Sequence, residues 1–309
     1  MINQGQLSTT TSEVLPDGTD LTINGEYIFV SPVTETVGSL SGNGPIRFVL
    51  SPGSHLCVGF NDRDSTFDGG IVAQSGGDGQ LTKIGTGTLT LTGNNSYGEG
   101  TTVSGGTLVL GHSSAAGTGG ITITGSTLGY GNGVNIVNTI DLQNNATLDV
   151  TTGAATQSGA IGETSGPWGI TKTGTGTLTL SGTNTYSGGT TIGDGVLSIS
   201  NIVNLGGGSS SVIFEGGTLH TDATLGNVLL GGHPFITTAS GDARFDVDSV
   251  PARFVSLGPV SGVGGLIKTG SGNLVQQPES FGTPPPFEFS LFCRLFRIIK
   301  CIRISGLLH

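Results

Sequence analysis

Thr88 to Thr92 alternates threonine with leucine, so an extended chain carries Leu89 and Leu91 on one face and Thr88, Thr90 and Thr92 on the other. A period of two predicts a short strand with one buried side, and β-branched threonine suits the outer side while resisting helix. The same alternation returns at Leu178 and Leu180, and in weaker form at Tyr27–Val30, Val37 with Leu40, Arg47–Leu50, Leu56 with Val58, Thr107–Leu110 and Ile121–Thr124. Gly, Asn and Ser separate these runs, and all three suit turns. No stretch of the body has a 3.6-residue period with caps, so almost no α-helix is predicted.

The alternation is organised in copies. Leu81–Gly111 recurs as Ile170–Ser200, with Lys83 on Lys172, Tyr97 on Tyr186 and 17 of 31 positions identical. A third copy opens at Leu266 and breaks off after Val275. Strands of three to five residues bent at Gly corners, without hairpin pairs of equal length, predict an all-β fold: a right-handed, single-stranded parallel β-helix. Coils of roughly 20–25 residues would make one repeat about four coils and the body about twelve, a rod of roughly 55–60 Å. Propeller blades would recur at roughly 40–50 residues, and no such period is present. The expected organisation is a lead-in or cap over residues 1–35, the β-helix over 36–275, and a divergent tail over 276–309.

Composition narrows the function classes. The chain has 57 Gly in 309 residues, 10% charged residues and a net charge of −10. An acidic body with few Lys and Arg has little with which to neutralise phosphates, so neither nucleic acid nor an anionic membrane surface is an expected partner. Three cysteines, of which only Cys57 lies in the body, give no disulfide framework or zinc spacing. No run of eighteen apolar residues predicts a membrane span, and the first residues lack the basic and apolar regions of a signal peptide. The tail turns abruptly rich in Phe, Ile and Arg. Arg294, Arg297, Lys300 and Arg303 recur every three residues, which spreads them over half a helix, so out-of-frame or truncated translation explains the tail better than a membrane-surface helix.

Lys-x-Gly-x-Gly-x-Leu-x-Leu (Lys83, Gly85, Gly87, Leu89, Leu91; Lys172, Gly174, Gly176, Leu178, Leu180) is followed by Gly-x-Asn-x-Tyr (Asn95, Tyr97; Asn184, Tyr186). Gly-Thr-Thr and a closing Gly-x-Leu complete each copy. These residues resemble the autotransporter-associated β-strand repeat, also called the passenger-associated transport repeat. The resemblance implies a secreted passenger of a Gram-negative type V system, a β-helix that folds outside the cell after threading an outer-membrane pore. It also implies a β-barrel translocator in the full-length parent, a location at the cell surface, and host-surface or extracellular-matrix partners for exposed loops. The residues present supply neither signal peptide nor barrel, so this stretch is not expected to secrete itself. The repeat residues are then structural, in a stalk or adhesin whose copies assist stacking and folding.

Catalytic chemistry is the alternative. Asp62 and Asp64 lie in the densest charged cluster, and Asp246 and Asp248 would share a strand face, which together are the only plausible acids of a polysaccharide-active β-helix enzyme. A solvated loop and a surface ion-pair patch with Arg244 and Arg253 explain them more simply. A product without function of its own is a third reading. His55, His112, His220, His233 and His309 show no ligand spacing, so no metal is expected. No nucleophile motif, Cys–His pairing or phosphate loop is present, and catalytic residues and cofactors are expected to be none. Lys83, Lys172 and Lys268 are expected to point outward and guard strand edges. Asn95, Tyr97, Asn184 and Tyr186 are expected to pack and hydrogen-bond at coil corners, with sugar stacking by the tyrosines as the lesser reading.

Overall fold

The computed structural model describes residues 1–276 apart from 31, 49–52, 74–78, 222–227, 231, 249–253 and 258, so residues 277–309 of the expected tail lie outside the described residues. Every strand pair in the sheets is parallel, and each strand inside a sheet pairs with those one turn before and after it. The chain is a β-solenoid of about eleven turns with three faces. Among the described residues there is no α-helix. One 3-10 turn, Ile202–Leu205, is capped by Asn201, whose side chain accepts from Val203 N.

The first face is a seven-stranded sheet from Thr34–Val37 to Ile161–Glu163, followed by a three-stranded sheet of Val228–Leu230, Phe254–Leu257 and Asn273–Gln276. The second face is a ten-stranded sheet from Ser65–Phe67 to Val260–Gly262, preceded by the pair Asp20–Thr22 and Ser39–Ser41. The third face has four strands from Gln6–Thr9 to Ile71–Ala73 and seven from Asn135–Ile136 to Leu266–Thr269. Each turn visits the faces in that order.

Alternation decides what goes inside. In Thr88–Leu91 and in Thr177–Leu180 the leucines are buried and the threonines half-buried. Register keeps like residues in line. Leu89, Leu108, Leu128 and Leu148 stack as one inward column of the second face. Burying such a side chain contributes roughly 1.5–3 kcal/mol. On the outer side, Thr88, Thr107, Thr127, Thr147, Thr171 and Thr191 form an unbroken column. β-Branched neighbours one strand apart pack well on a pleated surface, so this column stabilises the sheet from outside. Further along, Phe214, Phe235 and Phe245 fill the interior with ring centroids 5.2–6.3 Å apart.

The sequence pattern located these elements with small offsets. The strand expected at Tyr27–Val30 is Glu26–Phe29, and the one expected at Arg47–Leu50 is Ile46–Phe48. The repeat length agrees with the expected count and sharpens it. From Gln80–Lys83 the first face continues through Thr101–Val103, Ile121–Ile123, Ile140–Leu142 and Ile161–Glu163 before the second copy starts, on the next face, at Ile170–Thr173. One repeat is therefore four turns and one face, where about four coils were expected.

Leu128 has no exposed surface and stacks between Leu108 and Leu148. Leu128→Ala should lower stability by about 2–5 kcal/mol, read as an earlier urea midpoint, because rigid neighbouring turns cannot close the cavity.

Candidate functional site

Lysine is the first surprise of the repeat. Lys83 and Lys172 are wholly buried and Lys268 nearly so, contrary to the expected outward charge. Lys83 occupies the inward column between Val58 and Val103, and Lys172 the one between Leu148 and Ile192. What makes this possible is the corner that follows. Gly85, Gly174 and Gly270 have φ of +68°, +74° and +72°. Lys83 Nζ donates to the carbonyls of Ile84 at 2.6 Å, Gly85 at 3.1 Å and, one turn on, Gly105 at 3.3 Å. Lys172 Nζ donates likewise to Thr173, Gly174 and Asp194, at 2.6, 2.8 and 3.4 Å. Lys268 donates to Thr269 and Gly270 at 2.8 and 2.6 Å. An ammonium has three N–H donors and no acceptor, so it suits a corner where carbonyls converge. Lysine is thus a corner cap, and its aliphatic stem continues the apolar column.

The second half of the motif interrupts a sheet. At Asn95–Tyr97 the third face has no strand, and at Asn184–Tyr186 the first face has none. The asparagine amides stand in for the missing ladder. Asn95 Oδ1 accepts from Ile71 N at 2.8 Å in the turn before, and its Nδ2 donates to Ala115 O at 2.5 Å in the turn after. Asn184 does the same with Ile161 N at 2.8 Å and Asn204 O at 2.6 Å. Tyr97 and Tyr186 are fully buried, and their hydroxyls meet Thr101 and Thr190 at 2.7 and 2.6 Å. Burial pushes both phenols well above their ordinary value. No ring face is left for a sugar.

Above each tyrosine lies a glycine that the sequence comparison did not single out. A Cβ at Gly117 would sit 2.3 Å from Tyr97 O and 2.9 Å from its ring, and one at Gly206 would sit 2.5 and 2.7 Å from the same groups of Tyr186. Their spacing equals that of the two lysines, so the repeat runs past the stretch of highest identity.

Because one repeat is four turns and one face, the motif moves round the rod. The lysine strand lies on the first face in copy one, on the second in copy two and on the third in copy three, Leu266–Thr269. The same lysine with its Gly-x-Gly thus builds the corner after each of the three faces.

The acidic candidates are engaged in cross-turn bonds. Asp62 Oδ1 accepts from Thr86 N at 2.6 Å and Asp64 Oδ1 from Thr88 N at 2.7 Å, each one turn away. That N–H holds the Asp62 carboxyl below the usual carboxylate range. Asp246 and Asp248 flank His220, at 3.1 Å from Nδ1 and 3.5 Å from Nε2, an arrangement hidden from sequence because the partners lie on different turns. Arg244 lies 4.0 Å from Asp242, so the expected patch with Asp246 is replaced by the His220 contact, and Arg253 is outside the described residues. Sequence reading also missed that Cys57 Sγ lies 3.5 Å from His55 Nε2. Burial pushes this thiol up and this imidazole down, which favours neutral partners over a thiolate–imidazolium pair. An open groove of ≈ 450 Å³ on the first face is lined by Thr122, Asp141, Thr185 and Glu99, among others, and contains none of the four aspartates named above. Among the described residues, no group of three or more His, Cys, Asp or Glu is placed to hold a metal ion, and no helix is long and apolar enough to cross a membrane.

Lys172→Met should leave buried carbonyls unpartnered and cost about 1–3 kcal/mol in urea unfolding. Burial also lowers the Lys172 ammonium to about 8. Between that pH and the unfolded value of about 10.4 the unfolded chain binds more protons, so this lysine makes stability rise with pH. Melting curves from pH 8 to 9.5 should show that rise in the wild type and a smaller one in Lys172→Met. Asn184→Ala strips partners from Ile161 N–H and Asn204 C=O and should cost a similar amount, about 1–3 kcal/mol, in the same assay.

Residues 81–110 and 170–199 match the Passenger-associated-transport-repeat. Over 189 residues, or 59% of its length, the chain is 35% identical to the adhesin BmaC autotransporter of Brucella suis biovar 1. It spans only 5% of that protein. No solved structure matches at a significant level. Two such repeats, folded into stacked parallel turns, are what the chain shares with autotransporter passengers.

Proposed function

We propose that this segment is a rod-like stretch of an adhesin passenger, displayed at the cell surface or secreted by a Gram-negative bacterium, and that it catalyses no reaction. The observation that carries the reading is where the chemistry of the repeat is spent. Its lysine, asparagine and tyrosine are all buried and bonded to backbone or side chains of their own or adjacent turns. Threonine is the commonest residue at the outward positions of the strands, a surface suited to display. The adhesin name of the relative and its length accord with a long array of which this is one part. The repeats would act as stations of stacking and folding: each corner cap and asparagine bridge is completed by the arrival of a single further turn. A chain emerging through a barrel of its parent could then fold turn by turn without an energy source. Exposed loops would contact components of a host surface or matrix.

Beads coated with the chain should bind an immobilised extracellular-matrix protein saturably, and the chain should release no reducing sugar from polysaccharides. Sugar release abolished by Asp246→Asn would replace this reading with an enzymatic one. For the folding role, Asn95→Ala should slow refolding from urea by about the factor that it weakens stability; a change confined to the unfolding rate would count against it.

A further inference from the structure

The end strand of the seven-stranded first face, Thr34–Val37, has a turn below it that forms no strand between residues 10 and 19. The outer edge of a terminal strand ordinarily offers N–H and C=O groups to any strand that approaches. Here three of those groups are taken. Thr34 O accepts from Glu13 N at 2.9 Å, and Thr34 N donates to Ser12 Oγ at 3.0 Å. Thr36 N donates to Glu13 Oε2 at 3.2 Å, and Thr36 Oγ1 to Glu13 Oε1 at 3.1 Å.

The exchange is reciprocal. Glu35, on the strand being covered, points inward and has no exposed surface. Its Oε2 accepts from Val14 N at 3.0 Å and its Oε1 from Leu15 N at 2.7 Å. Leu15 packs against the core beside it. Glu13 adopts φ +51°, a left-handed conformation uncommon for a residue with a side chain, and there its N–H and both carboxylate oxygens are used at once. A regular strand in this position would only move the free edge one turn outward. A carboxylate takes N–H donors and offers none, so a plug of this kind ends the ladder.

We propose that residues 12–15 are an edge plug, fastened by the exchange of Glu13 and Glu35, that keeps this rim of the solenoid from strand pairing with a second copy of the chain. Strand addition to an exposed edge uses main-chain bonds that any copy of this chain can supply. A second copy is therefore the partner that the plug must exclude first.

Sedimentation velocity of the full chain at rising concentration tests this. Glu13→Ala combined with Glu35→Leu should raise the associated fraction several-fold over wild type while keeping the β-sheet circular dichroism. Adding Thr36→Pro, which removes the edge N–H, should return it to the wild-type level. A folded double variant that sediments like wild type, or association that persists with Thr36→Pro, would overturn the proposal. If the double variant fails to fold, Glu13→Ala alone is compared with wild type by hydrogen exchange and sedimentation. Faster exchange of the Thr34 and Thr36 amides together with increased association supports the plug, and no change in either overturns it.

Discussion

Everything in this rod rests on covering one turn with the next at the spacing of neighbouring strands. At about 4.8 Å, a turn has room above it for another backbone and little else, so each inward atom must match what lies one turn away. The apolar columns are the simple answer, with leucine on leucine through Leu89, Leu108, Leu128 and Leu148. The corners are harder, because there the backbone leaves the ladder and its carbonyls turn inward. A buried lysine solves that problem. Its stem fits the column, and its ammonium takes two or three carbonyls at once. Charge inside a core usually marks a reacting site or a cost left from function. In the repeat it is an answer to geometry, since the same corner recurs wherever the motif does.

The asparagines answer the same constraint from another side. Where the strand lapses at Asn95 and Asn184, one amide replaces a donor and an acceptor of the ladder. The turns above and below stay bonded although no strand runs between them. Room for a tyrosine then depends on a glycine in the following turn, so the interruption is a compact device spread over two turns. The alternation of threonine and leucine, by contrast, needs no partner to be understood.

That difference sets how much could be read from the chain alone. Leu89, Leu91, Leu178 and Leu180 declared their side by period, and the Gly-rich breaks declared the corners, so the solenoid class was legible. Lys83 was not, because a lone lysine in a strand pattern looks like an outward charge; the cue was the Gly-x-Gly after it, which frees carbonyls to turn in. Cross-turn meetings such as His220 with Asp246, or Glu35 with Val14, were hidden because turns differ in length and no fixed spacing marks them. The advance of a repeat by four turns and one face was equally invisible, since it depends on the count of corners, which residue number alone does not give.

That fractional advance has a consequence for arrays of this repeat. Unequal recombination adds or deletes whole copies, and in a solenoid with an integral number of turns per copy such an event would only lengthen or shorten the rod. Here one copy gained or lost also rotates everything distal to it by a third of a revolution. Three successive events restore the original bearing at a new length. Copy number is thus a setting of azimuth as well as of reach, and a lineage can re-aim its distal loops without changing a residue in them.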